Sequence, residues 1–249
     1  MIKIGVADYG MMVWYGACYD YAAKMDDLKA IGYDGCERLY AKTSEEAYQK
    51  LLVLAERGMS FATVVTGDVE GNIKMTAAYG GKYIWADRLS NASNFDIYCR
   101  NVNYLEKTCL KYGIHPAIHN HLGSLVETEE QLDEFLARCK NTQLVFDTAH
   151  MAVAGGDVMR VLEKYYDRLA AVHVKDWFMT APEKNVWNER GYFTGLGAGN
   201  FPVDNEGVVK TLIKRGYDKW IHVEHDTHLR EPLLDLKQSR EVLGSWGLN

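Results

Sequence analysis

Short apolar, β-rich runs alternate with longer amphipathic stretches along the chain. The apolar runs predict eight strands, at residues 2–7, 35–39, 61–66, 83–87, 114–121, 144–147, 169–174 and 220–224. The amphipathic stretches predict helices at residues 19–31, 44–58, 95–112, 128–139, 157–166, 203–215 and 233–243. Ser44 is the expected N-cap of the second of these helices and Gly58 its stop, and a capping signal opens the helix at 128.

Repeated strand–helix units indicate a parallel sheet, and eight of them close most naturally into a (β/α)8 TIM barrel. We therefore predict an α/β fold with a single TIM-barrel domain over residues 1–249. An open doubly wound sheet is the alternative, disfavoured because no GxGxxG follows the first strand. Three glycines in residues 68–81 predict a short or distorted helix in the third unit, and residues 177–200 predict a long loop.

Composition narrows the class of protein. The chain has 249 residues, 47% of them hydrophobic and 25% charged, with a formal net charge of −6. This acidic balance argues against nucleic acid as a partner. Five cysteines without a CxxC pair predict reduced thiols. Neither a signal-peptide pattern nor an apolar run near the roughly 18 residues of a membrane span is present. We therefore expect a soluble, cytoplasmic protein.

Polar residues stand where the predicted strands end, which in a TIM barrel is the active-site face. They are Asp8, Glu37, Thr66, Asp87, His119, His121, Asp147, His173, Lys175, Glu224 and Asp226. Taken singly, an acidic residue at such a place is often a helix cap, and a buried histidine is often a hydrogen-bonded core residue. We expect Asp87 and Asp226 to be caps or salt-bridge partners, and His115, His222 and His228 to lie on the surface or barrel exterior. His222 has the alternative of pointing inward, lower in the barrel.

The spacing of four residues predicts a metal site. His119 precedes Asp147 by 28 residues and Asp147 precedes His173 by 26, about one strand–helix unit each. Glu224 follows His173 by 51 residues, a step that includes the long loop. Imidazoles with carboxylates suit a divalent ion, and the lack of a nearby thiolate argues against structural zinc. We expect His119, Asp147, His173 and Glu224 to bind Mn²⁺ first, with Co²⁺, Zn²⁺, Fe²⁺ or Mg²⁺ as alternatives.

Short motifs in the second half carry a family resemblance. They are HNHLGS at 119–124, FDTAH at 146–150, AGGD at 154–157, DR at 167–168, HVKD at 173–176, GLGAGNF at 195–201 and VEHD at 223–226. The chain resembles the xylose-isomerase-like TIM-barrel superfamily of sugar isomerases and epimerases. Residues 114–245 are most similar to inosose (2-keto-myo-inositol) dehydratases. The first half agrees through GYDGCE at 32–37.

The resemblance implies a metal at the ends of strands five to eight, with Asp147, His173 and Glu224 matching the usual ligands. The strand-five ligand in that superfamily is usually glutamate, and here its place falls to His119 in preference to His121. Most dehydratase-like relatives carry a third histidine where this chain has Asn120.

The chemistry such sites share begins when a metal chelates a carbonyl and the adjacent hydroxyl, so that a base can remove the α-proton and form a metal-stabilised enediolate. The candidate acids and bases are Glu37, His121, His150 and Lys175. Aromatic residues of the long loop are candidates to close over a sugar ring or to pack on the rim. They are Trp177, Trp187 and Phe193.

These expectations point to a metal-dependent lyase, a dehydratase of a keto-cyclitol or keto-sugar. The alternative is an epimerase or isomerase of a sugar or sugar phosphate with the same metal site. A DNA-repair enzyme of the endonuclease IV type is disfavoured because strand three, FATVVTG, lacks a histidine and the chain is acidic. A non-enzymatic sugar-binding barrel is a further alternative, but such a protein would not need a metal site with a candidate base beside it. The expected partner is a small carbohydrate, without nucleic acid or membrane, and homo-oligomerisation is left open.

Overall fold

The computed structural model describes residues 1–16, 18–86 and 94–248. Eight parallel strands form its central sheet. They are β1 (Lys3–Ala7), β2 (Gly35–Tyr40), β3 (Ser60–Val65), β4 (Tyr83–Trp85), β5 (His115–His119), β6 (Gln143–Asp147), β7 (Leu169–Val174) and β10 (Trp220–Glu224). The remaining two strands, β8 (Asp176–Met179) and β9 (Gly191–Thr194), form an antiparallel pair inside the segment predicted as a long loop.

The hydrogen-bonded order of the central strands is β3-β2-β1-β10-β7-β6-β5-β4. The series curls into a nearly closed barrel, and the predicted TIM-barrel fold is confirmed. Among the described residues, β3 and β4 contact each other without a backbone ladder. The register brings strand ends level, because Asp147 pairs with His173 and Ala7 pairs with Glu224.

Helices alternate with the strands, as the amphipathic stretches predict. They are α1 (Tyr9–Trp14), α2 (Tyr21–Ile31), α3 (Ser44–Glu56), α4 (Val69–Ala78), α5 (Phe95–Lys111), α6 (Glu129–Arg138), α7 (Thr148–Val153), α8 (Val158–Tyr165), α9 (Trp187–Arg190), α10 (Asn205–Lys214) and α11 (Pro232–Ser245). The six-residue helices α1 and α7 escaped prediction because they are too short to show a helical period.

Two local predictions need correction. Thr43, not Ser44, caps α3: its hydroxyl accepts a hydrogen bond from the backbone N–H of Glu46, and Ser44 is already helical. The helix of the third unit, α4, runs for ten residues and is capped by Asp68. Its glycines are tolerated because Gly71 supplies the N–H that this cap binds, and Gly80 and Gly81 follow the helix.

The barrel interior is packed in layers. Ala62, Tyr83, Ala117 and Trp220 belong to one buried apolar cluster. The His222 ring stacks on Trp220 at 5.2 Å between centroids, and it is fully buried. An exterior position for His222 is therefore wrong: the alternation of strand β10 turns positions 220, 222 and 224 to the same side. The apolar layer thus supports a polar one.

Thr128→Ala is expected to lower the free energy of unfolding by about 1 kcal/mol. The Thr128 hydroxyl accepts from the backbone N–H of Gln131 at the start of α6, and the Gln131 side chain accepts from the Thr128 N–H. The alanine removes one half of this capping box. Urea unfolding measures the loss, and Thr128→Ser, which keeps the hydroxyl, is the matched control. Equal stability of the alanine variant and the wild type would contradict the assignment of the cap.

Candidate active site

Four residues predicted as metal ligands converge at the carboxyl ends of β5, β6, β7 and β10. One ligand atom from each of His119, Asp147, His173 and Glu224 lies within 4.8 Å of the other three, and all four residues are buried. His119 Nε2 is 3.3 Å from Asp147 Oδ2, and His173 Nδ1 is 3.0 Å from Glu224 Oε2. Two imidazole nitrogens with two carboxylate oxygens fit a divalent transition ion.

The Lys175 ammonium contacts the same carboxylate oxygens. Its Nζ lies 2.7 Å from Glu224 Oε2, 3.0 Å from Asp147 Oδ2 and 2.9 Å from Asp226 Oδ2. Burial alone lowers a lysine pKa, but these three carboxylates outweigh it and raise the pKa of Lys175 above its ordinary value. A buried cation therefore balances acidic groups that would otherwise repel one another.

Glu37 adjoins the cluster, and both of its carboxylate oxygens accept hydrogen bonds. Its Oε1 accepts from Tyr83 Oη and from His173 Nε2, each at 2.9 Å, and its Oε2 accepts from Arg38 Nε at 2.9 Å. Burial opposes its charge, yet His173 and Arg38 hold the pKa of Glu37 below its ordinary value. The bond to Glu37 fixes the His173 ring with Nδ1 facing Glu224, the arrangement a ligating histidine commonly has.

Arg38 is a site residue that sequence reasoning missed. It follows Glu37 on β2, so strand alternation places it on the opposite face. Its guanidinium nevertheless reaches Glu224 Oε1 at 3.2 Å and Tyr40 Oη at 3.1 Å, and it lies 4.2 Å from the ring centroid of Trp85. The only sequence signal is an arginine beside a strand-tip carboxylate, which is common on exposed strands.

Strand β5 ends at His119, two residues earlier than predicted. Asn120 is therefore free to turn toward β6 and is fully buried there. Its side chain donates to the Asp147 carbonyl and accepts from the Asp147 N–H, both at 2.9 Å. Asp147 Oδ1 in turn accepts from the N–H of His150 at 2.8 Å and caps α7. Asp147 is thus a helix cap as well as a member of the cluster.

The backbone N–H and carbonyl of Leu122 fix opposite tautomers in two neighbouring histidines. Its N–H donates to His150 Nδ1 at 3.2 Å, and its carbonyl accepts from His121 Nδ1 at 2.7 Å. Neutral His150 therefore carries its proton on Nε2, whereas neutral His121 keeps a free lone pair on Nε2. Burial, then Lys175, hold the pKa of His150 well below its ordinary value. The two rings lie 3.8 Å apart.

The structure thus gathers all eight predicted site residues at one end of the barrel. Glu37 joins the cluster through His173, and His121 and His150 flank His119, with ring centroids 5.4 and 5.6 Å from it. Asp226 joins them through Lys175. Asp87, also considered from the sequence, lies outside the described residues.

The β8–β9 pair supplies an aromatic wall. Trp177 is fully buried and packs on Phe193 at 4.7 Å, and Phe193 lies 4.4 Å from the His150 ring. Trp187, half-buried, is 6.1 Å from Phe193. Trp177 therefore packs on the rim, and Phe193 lies beside His150.

Two cavities adjoin the cluster. One of about 160 Å³ has Arg38, Asp8 and several tyrosines in its lining, and one of about 140 Å³ is lined in part by His119 and His121.

The metal-free protein is expected to lose stability contributed by His173 as the pH rises. Burial lowers its pKa, but Glu37 and Glu224 outweigh this and raise it to about 10. Protonated His173 therefore contributes its full stabilisation of the fold below the unfolded-state pKa of about 6.5. This contribution to the free energy of unfolding is lost as the pH rises through about 10. The difference in unfolding free energy between wild type and His173→Gln should therefore shrink across that range in urea titrations. His115→Gln is the control, and a constant His173 difference would refute the coupling.

No helix of the described residues has the length and apolar character needed to cross a membrane.

Comparisons with known proteins agree with this architecture. The family model described as "Xylose isomerase-like TIM barrel" matches residues 68–246. An inosose dehydratase of Bacillus licheniformis is 34% identical over 142 residues, covering 53% of this chain and 47% of that protein. The chain thus aligns with about half the length of that curated relative.

Two solved structures share the fold. The probable 3-DHS dehydratase AsbF of Bacillus anthracis aligns with a TM-score of 0.73 and 13% identity, over 98% of this chain and 99% of that one. An L-ribulose 3-epimerase aligns with a TM-score of 0.72 and 15% identity, over 99% and 94%. At such identities the likeness shows the fold alone.

Proposed function

This chain belongs to the xylose isomerase-like TIM-barrel family, and from that premise we propose that it is a divalent-metal-dependent dehydratase of a keto-cyclitol or keto-sugar. The curated relative named inosose dehydratase supports this substrate class. The observation that carries the proposal is the backbone of Leu122, which prepares one proton acceptor, His121, and one hydrogen-bond donor, His150, side by side.

His119, Asp147, His173 and Glu224 would hold the metal, with Mn²⁺ the first ion to test. When bound, such an ion polarises a carbonyl and an adjacent hydroxyl as a Lewis acid and so acidifies the neighbouring C–H. The protein's part is to hold the substrate beside His121 and His150.

His121 acts first as the general base and then as the general acid in this proposal, and His150 is the hydrogen-bond donor to the leaving group. The free lone pair on His121 Nε2 takes the α-proton, and the resulting imidazolium gives it to the departing hydroxyl, which accepts a hydrogen bond from His150 Nε2–H and leaves as water. The Lys175 ammonium stabilises the negative charge that develops on the substrate oxygen. The two histidines lie next to each other, so they suit elimination of a proton and a hydroxyl from one side of the substrate.

An epimerase with the same ligands needs proton-transfer groups on opposite sides of the substrate. Glu37, on the far side of His173 from Glu224, is fully buried and accepts three hydrogen bonds. We assign it the role of holding His173 and Arg38 in place. This engagement favours dehydration over epimerisation or isomerisation.

We propose a reduced, cytoplasmic setting for the enzyme. All five cysteines have free thiols, and four of them are buried. A small carbohydrate is the expected partner.

The substrate is identified by incubating the protein with Mn²⁺ and a panel of inososes, 3-keto-sugars and ketoses in deuterated water. The expected result is a product lighter by one water from a keto-cyclitol or keto-sugar, lost on chelation. Deuterium wash-in without water loss would instead indicate an epimerase or isomerase. Full activity after chelation would contradict the proposed metal dependence.

Separate variants should distinguish the two roles. His121→Gln is expected to suppress both α-deuterium exchange and water loss, because it removes the base. His150→Gln should reduce water loss by about 10²–10³-fold while exchange persists, because the leaving hydroxyl loses its hydrogen-bond donor. Mass spectrometry follows both reactions. Identical patterns in the two variants would rule out this division of roles, and His115→Gln, a histidine at the start of β5, controls for general effects.

A further inference from the structure

A second group of potential ligands lies just beyond the end of β10, separate from the active-site cluster. One ligand atom from each of His225, His228 and Asp235 lies within 4.8 Å of the other two. Since neighbouring strand residues face opposite ways, Glu224 points into the barrel and His225 points away from it. We propose that His225, His228 and Asp235 form a second metal site, for a divalent ion of the Zn²⁺ type.

The His225 ring is buried, and only one of its two nitrogens has a hydrogen-bond partner among the described residues. Its Nε2 lies 3.3 Å from the Ser239 hydroxyl of α11, which also accepts the backbone N–H of Leu196 at 3.1 Å. His225 Nδ1 has no hydrogen-bond partner within residues 1–16, 18–86 and 94–248. A buried polar atom without a partner is destabilising, so its occurrence in a native fold requires an explanation. A cation satisfies Nδ1 when Nε2–H donates to Ser239, as ligating histidines commonly do with their second nitrogen.

The other two members hold their ligand atoms in place. His228 Nδ1 is 2.9 Å from Asp235 Oδ2, and Arg230 Nε donates to Asp235 Oδ1 at 2.5 Å. Arg230 thus secures one carboxylate oxygen and leaves the other to be shared between His228 and a cation. The His225 and His228 ring centroids are 4.8 Å apart. Two imidazoles with one carboxylate is a set used for Zn²⁺ and Fe²⁺.

Helix α1 closes the group from one side. A Cβ added at Gly10 would lie 2.0 Å from the His225 carbonyl oxygen and 2.9 Å from His228 Nε2. The loop that carries His225 and His228 therefore packs directly against α1 at Gly10, the residue of that helix that has no side chain. A hydrogen-bonded clamp of His228, Asp235 and Arg230 explains part of this packing, but it leaves His225 Nδ1 unpaired.

An ion here would act on the active site through the chain itself. Asp226 follows His225 directly, and Asp226 Oδ2 lies 2.9 Å from Lys175 Nζ. Fixing the His225 ring to α11 and the loop would hold Asp226 against Lys175. The ion's role is therefore positional, and its existence does not depend on the proposed reaction.

Zinc stoichiometry tests the site. Chelator-stripped protein is titrated with Zn²⁺ in competition with a chromophoric chelator. His225→Gln and Asp235→Asn should each bind one equivalent fewer than the wild type. A double variant, His119→Ala with His173→Ala, should lose the active-site ion and keep the second one. His115→Gln, the matched control, should bind as the wild type does.

Equal zinc stoichiometry in the wild type, His225→Gln and Asp235→Asn would overturn the proposal. Circular dichroism in chelator checks that each variant is folded. If His225→Gln fails to fold, the less buried His228→Gln decides the question by the same loss of one equivalent. The His119→Ala/His173→Ala variant reports on the active-site ion, whereas His225→Gln and Asp235→Asn report on the second ion. Failure of the proposed function is therefore distinguished from failure of this site.

Discussion

Asp147→Asn is expected to abolish metal retention and to lower turnover by about 10²–10³-fold, with the fold intact. Asp147 Oδ2 contacts both His119 and Lys175, so its charge is shared by a ligand and by the buried cation. The amide keeps the shape and the oxygen that accepts the His150 N–H, so α7 stays capped. Metal content after gel filtration, and turnover of the substrate found in the panel, measure the two losses.

Asp157→Asn is the matched control for that change. Asp157 caps α8 by accepting the backbone N–H of Arg160 at 2.9 Å, and none of its described contacts is with the cluster. The same substitution there should cost only a little stability. Retained metal and unchanged turnover in Asp147→Asn would refute the ligand role of Asp147.

Lys175→Met should be the most destabilising of the proposed substitutions in the metal-free protein. It removes the ammonium that contacts Asp147, Glu224 and Asp226, and breaking a buried ion pair from one side costs about 3–5 kcal/mol. Turnover should fall by about 10²–10³-fold because the developing charge on the substrate loses its donor. Urea unfolding with and without Mn²⁺ should show that the ion recovers part of the lost stability.

Lys219→Met is the control for removing a half-buried lysine, because Lys219 donates to the Leu169 carbonyl and forms no direct salt bridge within residues 1–16, 18–86 and 94–248. Its stability should change much less, and Mn²⁺ should recover none of it. A Lys175→Met protein as stable as the wild type would show that the carboxylates do not depend on this cation.

The cluster was predictable from sequence because parallel strands repeat. Once β5, β6, β7 and β10 are recognised, spacing alone puts His119, Asp147, His173 and Glu224 at the same end. The register of Asp147 with His173 confirms that their strands are level. Burial of the strands on both sides makes their apolar runs easy to recognise.

Other parts of the site have no sequence pattern to reveal them. Arg38 reaches the cluster through the length of its side chain, against the alternation of its strand. The tautomers of His121 and His150 are set by the backbone of Leu122, and backbone hydrogen bonds at a strand end leave no signature in residue type. The direction of Asn120 has no sequence signature for a related reason, because the place where β5 stops decides which way it turns.

Within the part of the chain that the structure describes, β3 and β4 share no backbone ladder, so the sheet is a curled ribbon and not a fully hydrogen-bonded ring. Backbone N–H groups along this seam are not protected by inter-strand hydrogen bonds as those of the other strand pairs are. Their hydrogen exchange with solvent should therefore be the fastest among the strands. It is also a suitable place for new chain ends in a circular permutant, because no ladder between described residues joins β3 to β4. The catalytic end, built on β5, β6, β7 and β10, would keep its pairings in such a rearranged chain.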